Sequence, residues 1–317
     1  MSYTTGVASS VNDMIVALSS FLVAQGWTAT APWAEMSAGA ATGNTLAAIT
    51  DPNGSITTFA FTASTLLMNM ATAIDPTKKI TQQPGANWRN LSITPITGPY
   101  VGYHFFTDGA AVNVAIELVP NIFTHLNFGT VTKNGAWSGG QYITGLRQGN
   151  IAYGLMSAIQ NSYPFKAANQ DGSNPSYAGS LAPDQGFMRQ GITVTGWADF
   201  AASSVQYNVG QYMPSNPVVV NHAVCANMGM RLLNSSPNGF NGRAALLPVV
   251  LTMSSNIEGG GGMYQIGCVP NVAMLNIRDL EPKAVINNEW MVFPLSQKNG
   301  NGSTYMNSAN YGIAYRK

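Results

Sequence analysis

The chain has 317 residues, with 14 Lys and Arg against 13 Asp and Glu, and is 45% hydrophobic but only 9% charged. Its length suits one large β-rich domain or two ordinary ones, and a net charge of +1 with scattered basic residues argues against direct binding of DNA or RNA. No apolar run approaches the roughly 18 residues of a membrane-spanning helix, and the opening MSYTTGVASS lacks the basic start of a secretory leader, so use without Sec export is expected.

The shortage of charge says more than the balance. Typical soluble domains are roughly a quarter charged, whereas here Asn, Ser, Thr, Gln and Gly fill the surface places of Lys and Glu. Such a surface is easier to desolvate against a neighbour, because interface cores are depleted in charge. A subunit of an assembly is expected, although a secreted or carbohydrate-binding β protein shows the same bias. The cysteines, Cys225 and Cys268, stand far apart without Cys-x-x-Cys spacing, which removes a zinc or redox motif. They read as small buried hydrophobes in a reducing cytoplasm.

In chain order, the clearest helix comes first. Val11, Met14, Ile15, Leu18, Phe21 and Leu22 recur at spacings of three and four, Ser10-x-x-Asp13 resembles a capping box, and Gly26 marks the stop. The stripe is expected to cover the chain's own sheet. Trp27 and Trp33 flank a short strand at Thr28 to Thr30. From Glu35 to Pro99 the residues are small and polar, with turns at Asp51-Pro52-Asn53-Gly54, Asp75-Pro76 and Gln83-Pro84-Gly85. Within that stretch Ser55 to Ala63 alternates as a strand, Leu66 to Ile74 reads as a short helix ended by Asp75-Pro76, and Trp88 to Ile96 reads as another strand.

Tyr100 to Phe106, a turn at Asp108-Gly109, and Ala111 to Val119 make a hairpin. In its second arm Val112, Val114, Ile116 and Leu118 alternate with Asn113 and Glu117, the pattern of a half-buried strand. Phe123 to Phe128 resumes the β pattern, and Gly129, Gly135 and Gly139-Gly140 punctuate a segment holding Trp137 and Tyr142. Asn150 to Gln160 reads as helical. Asn161 to Gln190 is a long loop rich in Asn, Pro, Gly and Ser and containing Tyr177; a loop this long is commonly functional or ordered by a partner, and it is the best candidate for reaching a neighbouring subunit. Ile192 to Phe200, Val205 to Tyr212 and Val218 to Val220 restart the strands. Ala244 to Met253 is a buried run whose Pro248 places it at an edge or bulge. After the glycine run Gly259 to Gly262, Met263 to Pro270 and Asn271 to Ile277 read as two short strands.

The string FTHLNFGTVTKNGAWSGGQYITG, residues 123–145, and the ending EWMVFPLSQKNGNGSTYMNSANYGIAYRK, residues 289–317, resemble segments of structural proteins from the tail or baseplate region of tailed bacteriophages. The first carries an aromatic-His-aromatic-Phe-Gly strand, a Lys-x-Gly-x-Trp turn and Gly-Gly-x-Tyr; the second carries Trp-x-Val-Phe-Pro and a Gly-x-Ala-Tyr-Arg-Lys terminus. The resemblance implies a virion protein, made in the host cytoplasm, whose partners are other copies of itself and neighbouring tail or baseplate proteins.

Chemistry-bearing motifs are sparse. The glycine run lacks the Lys and following helix of a phosphate-binding loop and reads as a flexible turn. His104, His125 and His222 show no helical i, i+4 metal spacing. His104 and His125 fall in strands that are candidates for adjacency, which leaves a shared site with Glu117 or Asp108 open, behind the reading that both are packed and hydrogen-bonded. No Gly-x-Ser-x-Gly occurs, and the acidic residues Asp108, Glu117, Asp171, Asp184 and Glu258 show no diagnostic spacing for a hydrolase. No catalytic residue, metal ligand or cofactor is therefore assigned.

The expectation is a mainly β fold with a few short helices (α+β): a β-sandwich or barrel-like core with an N-terminal amphipathic helix. It divides into 1–99, a helix plus β region, and 100–317, a β-rich core with the loop 161–190, or stands as one domain. Phe128, Trp137, Tyr142, Tyr177, Trp290 and Phe293 are the candidate packing or interface residues. The expected function is a non-enzymatic structural subunit acting by symmetric packing. The alternatives are a receptor- or glycan-binding tail module, in which Trp137, Tyr142 and Tyr177 stack on host-surface sugars, and a virion-associated glycan hydrolase.

Overall fold

The computed structural model describes residues 1–29, 47–62, 65–75, 77–86, 91–93, 98–145, 187–191, 196–201, 219–222, 243–255, 262–295, 297–298 and 311–317. The fold is mainly β and sandwich-like. The barrel-like alternative does not hold, because the sheet path doubles back on itself without closing.

The hairpin expected at the centre of the sequence is at the centre of the fold. Strands β7 (Tyr100–Thr107) and β8 (Ala111–Val119) pair antiparallel, and β8 pairs in turn with β9 (Ile122–Thr130). Asp108 makes the turn: its Oδ1 accepts the backbone N–H groups of Ala110 and Ala111 at 2.9 and 2.8 Å, while Gly109 supplies φ +91. The first strand of the chain, β1 (Ser2–Ala8), adds to the free side of β7, and β11 (Ser138–Gly145) adds to β9, after the short β10 (Thr132–Lys133). The path then runs through β12 (Phe187–Gly191), β13 (Gly196–Ala201), β14 (Val219–His222), β15 (Leu247–Ser255), β16 (Gly262–Asn276), β19 (Tyr311–Arg316), β18 (Trp290–Pro294) and β17 (Val285–Ile286).

One side of the central strands carries an apolar core. Phe105, Val112, Val114, Ile116, Leu126, Phe128 and Ile143 pack there against helix α1 (Val11–Val23) and a separate five-stranded sheet. That sheet comprises β2 (Thr28–Ala29), β3 (Ala47–Thr50), β4 (Ile56–Thr62), β5 (Thr65–Ala71) and β6 (Leu91–Ile93). The helix stripe is the expected one, with Val11, Met14, Ile15, Leu18 and Leu22 buried against the chain's own sheet, Ser10 Oγ accepting the Asp13 N–H at 3.1 Å, and Gly26 at φ +89. The opposite side of the same strands carries a second core, formed by Phe106, Ala115, Phe123 and Tyr142 against Val249, Leu251, Val272, Met274, Phe293, Ile313 and Tyr315. The alternation of β8 therefore does not separate core from solvent. Asn113 and Glu117, on the polar parity, are as buried as the valines beside them.

Other expectations change. Leu66 to Ile74 is not a helix: Thr65–Ala71 is strand β5, paired along its length with β4. Leucine and methionine favour helices in isolation, but the run is short, and tertiary pairing that buries Leu66, Met68 and Met70 on one parity outweighs propensity. The two strands expected at 263–277 are one, β16, of 15 residues. Pro270 and Asn271 (φ +59) are absorbed where the register against β15 slips, so the chain bulges there and continues. Pro248 lies at the same slip, as its sequence position implied. Phe187 to Gln190, assigned to the long loop, belongs to β12. The helix at 150–160, the strand at 205–212, the glycine run up to Gly261 and the loop at 161–186 lie outside the described residues. Cys268 is a free thiol and only partly buried; Cys225 lies outside the described residues.

Candidate functional site

Three strands project a row of polar side chains into the second core. His104 on β7 is the cross-strand partner of Ala115 on β8, and Ala115 is the partner of His125 on β9. Cross-strand partners point to the same face, so both imidazoles face the returning strands with only a methyl group between their rows. Next to them Asn113, Asn127 and Thr144 form a second row across β8, β9 and β11, and the Asn127 amide donates to Asn113 Oδ1 at 2.9 Å.

His125 has no exposed surface and joins two returning strands. Its Nε2 is 2.9 Å from the Pro294 carbonyl of β18, and the Tyr315 hydroxyl of β19 is 3.0 Å from its Nδ1. The carbonyl only accepts, which puts the ring proton on Nε2, leaves Nδ1 as the acceptor and makes Tyr315 the donor. The imidazole is thus neutral. Burial pushes its pKa down to about 4, opposed by the carbonyls of Pro294 and Leu295, and pushes that of Tyr315 up. Phe293 packs against both rings, at 6.3 Å from His125 and 5.8 Å from Tyr315.

His104 is tied to the start of the chain. Its Nδ1 shares a 2.9 Å hydrogen bond with the Tyr3 hydroxyl, and its ring lies 5.1 Å from that of Phe293. Burial, and after it the Lys283 ammonium, push its pKa down to about 4, while Glu117 acts in the opposite sense. Lys283 donates to Glu117 Oε2 at 2.9 Å, and Glu117 Oε1 accepts the Asn121 N–H at the β8–β9 turn. The Lys317 ammonium stands 4.8 Å above the Tyr3 ring, so both ends of the chain meet over this face. At the far turn Asn271 of the β16 bulge donates to Asp108 Oδ2 at 2.6 Å.

The shared metal site left open for His104, His125, Glu117 and Asp108 does not form. Each has a protein partner of its own, and among the described residues no three His, Cys, Asp or Glu side chains converge as ligands. Of the candidate packing residues, Phe128, Tyr142 and Phe293 are fully buried, Phe128 in the first core and the other two in the second. Trp290 is half-buried in a small satellite cluster with Val292 and Ala314. Trp137 is half-buried: its indole N–H donates to the Ile266 carbonyl at 3.1 Å and Lys133 lies 4.9 Å over its ring. It reinforces the pairing of β10 and the glycine-rich turn with β16. Tyr177 lies outside the described residues. Sequence reasoning missed Tyr3, Lys283 and Asn127, and used Tyr315 only as part of a terminal motif. The contacts of Tyr3, Lys283 and Tyr315 bridge 101, 166 and 190 residues, a separation no local spacing encodes.

No protein-family model and no curated protein matches the chain. Among the described residues no helix is long and apolar enough to cross a membrane.

Proposed function

We propose that this chain is a non-enzymatic structural subunit of a tailed-phage virion, in the tail or baseplate, which acts by packing symmetrically with copies of itself and with neighbouring tail proteins. The observation that carries the non-enzymatic part is the commitment, among the described residues, of two histidines and the Glu117–Lys283 pair. His125, Glu117 and Lys283 are each held in a contact that joins the central strands to the returning ones, and His104 is bonded to Tyr3 on the neighbouring strand β1. A general base must reach a substrate proton, and His125 faces only protein. The resemblance of residues 123–145 and 289–317 to tail and baseplate proteins supplies the virion part, and the 9% charge content suits a surface that is desolvated in an assembly.

The glycan-binding alternative draws no support from the described aromatics, since Tyr142 is buried and the Trp137 ring already carries Lys133 on a face. The test is the mass of the purified chain by light scattering, with and without an extract of assembling particles. A closed oligomer, or a monomer that enters tails, supports the structural reading. A stable monomer that binds cell-surface glycan, or releases reducing sugar from it, replaces that reading with one of its alternatives.

A further inference from the structure

The two described histidines of the second core face the same returning strands, and among the described residues neither ring has a carboxylate as its hydrogen-bond partner. Among the described residues Tyr315 of β19 is the titratable group bonded to His125; Glu117 of β8 and the Lys283 ammonium act on His104 of β7, and Tyr142 of β11 lies near Tyr315 and Cys268 of β16; β18 gives His125 Phe293 and the Pro294 carbonyl. The carboxylate of that set, Glu117, is already paired with Lys283. Asp108, at the far turn, holds Asn271 and its own loop. A proton on His125 Nδ1 would break the bond that Tyr315 donates and leave a cation with no exposed surface and, among the described residues, no bonded counter-ion.

We infer that the His125 clasp, seconded by His104, is an acid-sensitive joint: on mild acidification the β18–β19 pair separates from β9, ahead of the helix-bearing side of the molecule. The geometry specifies this site because one imidazole holds both strands at once, through Pro294 on β18 and Tyr315 on β19. Among the described residues the buried histidines, His104 and His125, both lie on the second-core face. The first core's buried acid, Asp51, has a pKa raised by burial, so the folded state takes up that proton more readily and acid favours folding there. This inference does not depend on the virion reading and holds for whatever assembly the chain enters.

The sign follows from proton counts. Well above the ordinary histidine pKa of about 6.5 the imidazole is neutral in both states. As pH falls the unfolded chain gains a proton that the folded chain refuses until about pH 4, so stability is lost through that window. At pH 5 the His125 contribution raises the unfolding constant about 30-fold over its value at neutral pH.

Urea unfolding at pH 7.5 and 5.0, comparing the native chain with His125→Gln/Tyr315→Phe, tests it. The Gln amide can still donate to Pro294, the Phe ring needs no acceptor, and the pair does not titrate. The native chain should lose markedly more stability in acid than the variant, by about the 30-fold factor; equal losses would overturn the inference. If the variant does not fold, histidine NMR of the native chain decides. A His125 ring that stays neutral and Nε2-protonated at pH 5 supports the clasp, and one that titrates near 6.5 overturns it. Amide exchange, corrected for its intrinsic pH dependence, locates the opening. Protection should fall first in Trp290–Pro294 and Tyr311–Arg316, and a uniform loss that includes Val112 to Ile116 would contradict the proposed joint.

Discussion

The two faces of β7, β8 and β9 share a backbone and a burial level but not a chemistry. On the helix side, Phe105, Val112, Val114, Ile116, Leu126 and Phe128 pack into an apolar cluster with α1 and the five-stranded sheet. On the returning-sheet side, His104, Asn113, Glu117, His125 and Asn127 are interleaved with Phe106, Ala115 and Phe123. An apolar face tolerates a neighbour of roughly the right volume, whereas a buried polar face demands that each donor find its acceptor. The second interface is therefore the more specific of the two, and it is the one expected to weaken in acid.

The largest effects should come from removing the central ring on each side. Phe128 stands edge-on to Trp27 and Phe59 at 6.0 and 5.7 Å, and Phe293 touches His104, Phe106, Phe123, His125 and Tyr315. Phe128→Ala and Phe293→Ala should each cost about 3–5 kcal/mol in urea unfolding at pH 7.5. They should differ in acid. Phe128→Ala should leave the loss of stability between pH 7.5 and 5 unchanged, while Phe293→Ala should shrink it by letting water reach the imidazoles. Equal slopes would break the distinction between the faces.

Next in size is Tyr315→Phe. It removes one hydroxyl, keeps the ring, and leaves His125 Nδ1 as a buried acceptor without its donor, at a cost of about 1–3 kcal/mol. Urea titration at neutral pH measures it, and a cost near zero would mean that Nδ1 finds another donor. Trp137→Ala should cost about 1–2 kcal/mol. A fully buried tryptophan would cost more, but this indole is half-buried and its loss removes chiefly the bond to Ile266 and the stack with Lys133. The same unfolding assay decides, and a cost above that of Tyr315→Phe would show that the turn it anchors is integral to the second core.

The elements that could be read from the sequence were those with local causes. Asp108-Gly109 between two β runs specifies the central hairpin, and Ser10 before a three-four apolar stripe specifies α1. Alternation in β8 was legible as two faces, but period two says only that the faces differ. It cannot say that Asn113 and Glu117 face a second layer of protein, because that layer comes from residues more than a hundred positions away. Leu66 to Ile74 failed for the same reason in reverse, since its partner strand β4 decides its conformation. Met263 to Pro270 and Asn271 to Ile277 read as two strands, yet the missing donor of Pro270 is absorbed by a bulge and the strand runs on. The histidines were visible as residues in strands, and their tyrosine partners were not.

The smallest effect belongs to the helix cap. Ser10 Oγ accepts the exposed Asp13 N–H, and Asp13 in turn holds the Ser9 hydroxyl, so the start of α1 is pinned by side chains rather than by core packing. Ser10→Ala removes that acceptor and should cost about 1 kcal/mol. The helix itself should persist in far-UV circular dichroism, because Met14, Ile15, Leu18 and Leu22 remain fully buried against the central sheet and packing, not capping, supplies most of a short helix's stability. The substitution also probes the comparison of the two faces from the quiet side. Being anchored in the core without histidines, it should lower the urea midpoint by the same amount at pH 7.5 and pH 5, and a cost that grew in acid would mean that the two cores do not respond to protons separately.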